Sequence, residues 1–148
     1  MVFPMFKKIL FPTDFSDVSK KALDYILTLK NVGAEVVVII HVIDQRSIRV
    51  IDNLAIMNSS ELEREMMSSA TESLEKVEKK LEDNGFAVKS LLRIGHPVIE
   101  ILDTEKDEDV SIIVIGSHGK SNLEEMFLGS VSEKVIRRCE RPVFVIKR

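Results

Sequence analysis

The sequence holds a single cysteine, Cys139, among its 148 residues. No disulfide can therefore form within the chain, and nothing in it calls for an oxidising compartment. Neither sign of charge prevails: 21 Lys and Arg against 24 Asp and Glu leave a formal net charge of −3. That balance lacks the basic footprint that nucleic acid or an anionic membrane surface attracts, so neither is expected as a partner. No apolar run approaches the roughly 18 residues of a membrane span. The opening stretch "MVFPMFKKILFPTDFS" breaks its apolar residues with Pro4 and two lysines. It lacks the succession of charged, apolar and small-residue regions of a secretory signal, and the cytoplasm is the expected location. His41, His96, His118 and Cys139 show neither i, i+4 pairing nor paired-cysteine spacing, which argues against a zinc site built from protein groups alone. A fixed-period repeat and a low-complexity tract are also missing.

What is present is 45% hydrophobic residues, enough at this length for one substantial core, and the expectation is a single domain over residues 1–148. Five short runs rich in Val, Ile and Phe read as strands: "KKILFP", "EVVVIIHV", "FAVKSLLRI", "SIIVIG" and "PVFVIKR". Several are apolar at consecutive positions, the pattern of strands buried on both faces of a parallel sheet. Segments of helical period separate them. The first follows Ser16 as N-cap and carries Ala22, Leu23, Ile26 and Leu29. The second is announced by Ser60 with Glu63, a capping box, and ends at Asn84-Gly85. Met57, Met66 and Met67 near its start read as core filling in preference to a soft partner surface. The third starts at Pro97, which suits a first helical position, and the acidic run Glu105 to Asp109 after it reads as a solvated turn. The fourth starts at Ser130 and runs towards Cys139. Ile43 to Ser59 is too long for a simple connection and reads as a flexible or ligand-covering loop. Strand and helix alternate throughout, which predicts an α/β domain with helices on both faces of a mostly parallel sheet.

"IGSHGKSNLEEMFLGSV", Ile115 to Val131, ends in part like a phosphate-binding P-loop, but only Ser117 and His118 separate Gly116 from Gly119, where that motif needs four residues. The dinucleotide fingerprint fails as well, because the first strand ends in Pro12-Thr13-Asp14 and not in a glycine turn. A different logic remains. Gly116 closes an apolar strand at the carboxyl edge, where ligands of open α/β sheets collect. Gly119 permits a positive φ or close approach of a ligand. Gly129-Ser130 precedes a helix whose first amides lack partners and lie at the positive end of its dipole. Two glycine sites could thus bracket a phosphate chain, with the Ser130 hydroxyl as a further donor. Asp14 could accept hydrogen bonds from ribose hydroxyls, and Val42 could wall a base. Each has a plainer alternative: Gly116 and Gly119 as turn residues, and Ser130 and Asp14 as helix caps.

The chain resembles the universal stress protein family, specifically its ATP-binding branch, from "KILFPTDFS" through "HVID" and "IGHPVIEIL" to the last residues. The family's nucleotide signature is glycine, two residues, glycine, nine residues, glycine, then serine or threonine. Gly116, Gly119, Gly129 and Ser130 match it without gap or insertion. The resemblance implies a three-layer α/β/α sandwich of the adenine nucleotide alpha hydrolase-like type, its five-stranded parallel sheet ordered 3-2-1-4-5, with ATP across the carboxyl edge between strands one and four. Carried over by position, Pro12, Thr13 and Val42 surround adenine, and Asp14 and Gly116 hold ribose. Gly119, Gly129, Ser130 and Val131 cradle the phosphates, with Ser117 and His118 lining the loop and Mg2+ or Mn2+ bound mainly by phosphate oxygens. The resemblance also implies a homodimer joined through the last strand, Pro142 to Lys147, and a nucleotide-dependent regulator of stress adaptation. Two alternatives are a slow ATP hydrolase or phosphoryl-transfer enzyme, for which His118, Lys120 and Glu124 are the nearest candidates, and a nucleotide-free interaction or chaperone-like module.

Overall fold

In the computed structural model, residues 5–54, 58–118 and 128–148 are described. Strands β1 (Lys8–Pro12), β2 (Val36–Asp44), β3 (Ala87–Gly95), β4 (Ile112–Gly116) and β5 (Val143–Ile146) alternate with helices α1 (Asp17–Leu29), α2 (Gln45–Asn53), α3 (Ser59–Asp83), α4 (Pro97–Asp107) and α5 (Ser130–Arg138). The strands form one sheet in the order β3-β2-β1-β4-β5, every neighbouring pair parallel, with Ile9 of β1 facing Val37 on one side and Ile112 on the other. The order reverses at β1 and β4, which opens a crevice at their carboxyl ends.

Consecutive apolar positions are needed because successive strand residues point to opposite faces and both faces are covered. Ile9, Phe11, Val37, Ile39, Ile112 and Val114 pack on one side with Ala22, Leu23 and Ile26 of α1 and Leu74 and Leu81 of α3. The residues between them, Leu10, Val38, Ile40, Ile113 and Ile115, pack on the other with Val98, Ile101 and Leu102 of α4 and Val135 of α5. The result is helices, sheet, helices. β3 is an edge and is less buried than the inner strands, with Gly95 its one buried residue.

Three expectations are corrected. Ile43 to Ser59, expected as a flexible or ligand-covering loop, is in its described residues largely regular structure: β2 continues to Asp44, α2 follows and α3 begins at Ser59. Asp44 caps α2 by accepting from the Arg46 amide at 2.9 Å, and Ile48 anchors it against Ile43 and Ala70. The cap of α3 is Asn58, whose side chain accepts from the Ser60 amide at 2.8 Å, and not Ser60. The run from Glu105 is not a solvated turn: α4 extends to Asp107, and Glu105 is 1% exposed. Its Oε1 accepts from the amides of Glu140 and Arg141 at 2.8 and 2.7 Å, a compensation that a buried carboxylate requires. Of the methionines, Met66 packs beside Ile48 and Ala70 while Met67 is 37% exposed; Met57 lies outside the described residues.

Candidate functional site

At the carboxyl end of β1 the chain leaves the sheet through Pro12-Thr13-Asp14. The Thr13 amide still donates to Ile40 O at 2.9 Å, prolonging the ladder with β2, and its carbonyl lies 2.7 Å from His41 Nδ1. Because a carbonyl can only accept, Nδ1 carries the proton, and in the neutral ring Nε2 is left as an acceptor. Asp14 does not cap α1. Ser16 does so by accepting from the Ser19 amide, while Asp14 Oδ1 accepts from the Ser16 amide at 3.0 Å. Phe15 between them has φ of 64°, a left-handed conformation that costs a bulky residue energy and is held by its surroundings.

Across the crevice, the end of β4 and the start of α5 are tied together. The Gly129 amide donates to Ser117 O at 2.6 Å, and the Ser132 hydroxyl donates to Gly116 O at 2.8 Å. Gly129 is the N-cap of α5 and contributes no side-chain cap, so Ser130 begins the helix. The amides of that first turn have no acceptor within the helix, and the two tethers hold them in place against the sheet edge.

Between these walls lies a cavity of about 270 Å3, close to the lower end of the roughly 300–1,000 Å3 of small-molecule sites. Pro12, Thr13, Asp14 and Val42 line one side, and Gly116, His118, Gly129, Ser130 and Val131 the other. Ser117 stands behind: it is 1% exposed, its amide donates to Ile146 O at 2.8 Å, and its hydroxyl sits 2.7 Å from His118 Nδ1. Gly119, Lys120 and Glu124 lie outside the described residues. Sequence reasoning missed Ser19, Ile40, His41, Pro97, Ile101, Ile115 and Ser132, which also line the cavity. A signal for two of them was present, since Ile40 and His41 precede Val42 in a strand already placed at this edge. Gly116 has a packing reason as well, because a Cβ there would come within 2.8 Å of Val18 Cγ1.

The arrangement combines an apolar slot, a carboxylate and helix amides around one space. It can hold a polar molecule with a flat apolar end and an anionic end.

The model of the universal stress protein family matches residues 5–147. Universal stress protein MJ0577 of Methanocaldococcus jannaschii is 44% identical, over 97% of this chain and 96% of its own. The solved structure of MJ0577 superposes with a TM-score of 0.89 over 97% of both chains. Universal stress protein YxiE of Bacillus subtilis is 34% identical over 97% of this chain and 100% of its own. The structure of a universal stress protein from Archaeoglobus fulgidus in complex with dAMP shares the fold at a TM-score of 0.67 and 21% identity, over 97% of this chain and 99% of its own.

Proposed function

The chain belongs to the universal stress protein family, and we propose that it binds ATP in the cavity at the carboxyl edge of β1 and β4. The observation that carries this reading is the start of α5, tethered to Ser117 and Gly116 and lining the same cavity as Asp14 and the apolar residues of β1 and β2. Adenine would lie in the slot formed by Pro12, Thr13, Ile40 and Val42, and Asp14 would accept from the ribose hydroxyls. The phosphates would face the amides of Ser130 and Val131 and the Ser130 hydroxyl, where the positive end of the helix dipole favours negative charge. Gly129 would act by shape, its own amide being engaged by Ser117 O. Gly119 keeps the role that the resemblance gives it.

Asp14 is the one carboxylate among the described residues of this lining. With Asp14 on the ribose, a Mg2+ or Mn2+ ion would take most of its oxygens from the phosphates, as Mg2+ commonly does. The complex of the Archaeoglobus fulgidus protein with dAMP is a precedent for an adenine nucleotide on this fold. On this reading the protein is a homodimeric, nucleotide-dependent regulator of stress adaptation, with ATP state altering its partner surface.

Calorimetric titration of nucleotide-free protein with ATP and magnesium, repeated with AMP and GTP, tests the assignment. Micromolar binding of ATP that weakens strongly for AMP is expected, because α5 acts on the phosphates. No heat with ATP at two temperatures would refute it.

A further inference from the structure

A second cavity, of about 310 Å3, opens on the opposite face of the sheet between α1 and α3. Its floor is Phe11 and Leu23, 1% and 5% exposed, and Phe15 and Val77 form walls. Lys20 and Lys76 belong to the same lining and are exposed, so two basic side chains border its solvent side. Lys76 also meets Glu72 at 3.4 Å, with side chains 76% and 73% exposed. Such a solvated pair contributes little, so a bound anion can replace Glu72 at small cost.

An apolar floor with two cations at the mouth is complementary to a molecule that is apolar at one end and anionic at the other. A bare inorganic anion would leave the floor unfilled, and a neutral hydrocarbon would leave the lysines unused. A cavity of about 150 Å3 accommodates benzene, so twice that space suits a fused two-ring or eight-carbon body. We propose that this cavity binds a small amphipathic carboxylate, its ring or chain against Phe11, Leu23 and Val77 and its carboxylate between Lys20 and Lys76.

The position of the cavity gives this binding a consequence. Thr13 and Ser19, whose hydroxyls are hydrogen-bonded to each other, line both cavities. Phe15 walls this one while its ring lies 4.6 Å from that of His41, which lines the other. A ligand that shifts Phe15 or Ser19 alters the nucleotide cavity, and by linkage each ligand changes the affinity of the other equally. The coupling rests on the ATP reading above; the binding does not.

The test titrates the full chain with 2-naphthoate by calorimetry, using 2-naphthol as the uncharged control. Saturable binding is expected at sub-millimolar concentration, with 2-naphthol weaker. Ser73→Trp, on a helix position lining this cavity alone, should abolish it, and the exposed double change Lys20→Glu with Lys76→Glu should weaken it by about tenfold. Should Ser73→Trp fail to fold, the lysine variant decides. Absence of saturable binding overturns the proposal, as does binding unchanged in both variants, which would place the probe in the nucleotide cavity. ATP affinity is then measured with 2-naphthoate saturating, and a change of roughly fivefold is expected. Unchanged affinity overturns the coupling, whereas a protein that binds 2-naphthoate but no ATP refutes the nucleotide reading and leaves this site standing.

Discussion

Gly129 sits at φ −72° and ψ 162°, a conformation open to any residue, so its importance lies in the space beside it. Gly129→Val is expected to keep the fold by circular dichroism while ATP affinity drops tenfold or more, about 1.4 kcal/mol; unchanged affinity would remove Gly129 from the phosphate site. Glu105 acts at the other end of α5, where one carboxylate oxygen holds two backbone amides. Glu105→Ala leaves both amides without their carboxylate acceptor and should lower unfolding stability by about 1–3 kcal/mol in urea. Glu105→Gln, which retains one acceptor oxygen, should lose less. Beside it, burial and then the Glu105 charge raise the Cys139 thiol above its ordinary pKa. The thiolate is the reactive form, so iodoacetamide should modify Cys139 more slowly than a solvated thiol at neutral pH and catch up only in alkali, as followed by mass.

At the scale of elements, α1 is held by Ser16, and Ser16→Ala should cost about 1 kcal/mol by loss of the cap. β5 pairs with β4 on one side. At the edge of the sheet it carries Phe144, which is 39% exposed, and an edge strand offers unpaired backbone groups to another chain. Pairing across a two-fold axis would satisfy them, and light scattering is expected to return twice the 16.8 kDa chain mass. Phe144→Glu should shift that mass towards the monomer by placing like charges at the axis. A monomeric native mass at micromolar concentration would exclude the dimer. α2 shows how an element escapes notice: it is nine residues long and Ile48 is its one buried residue, so it is too short and too polar to stand out from a charged loop.

For the whole molecule, a ligand that binds the folded state alone stabilises it by mass action, about 2.7 kcal/mol at one hundred times its dissociation constant. For a chain of this size that is a rise in Tm of roughly 5–10 °C. Scanning calorimetry with saturating ATP and magnesium checks the figure, and AMP, which lacks the outer phosphates, should raise Tm less.

The strand and helix alternation, the three layers and the carboxyl-edge position of Pro12-Thr13-Asp14, Val42 and Gly116 were legible in the sequence, because burial on both faces forces consecutive apolar residues and the glycines mark where strands stop. Tertiary structure alone decided the rest. It set His41 against the Thr13 carbonyl, brought Ser132 to Gly116 and Gly129 to Ser117, and buried Glu105 beneath the turn at Glu140. Periodicity reports which face of an element is apolar, whereas these contacts join residues far apart in the chain. Their distances depend on how the layers pack, which no local pattern encodes.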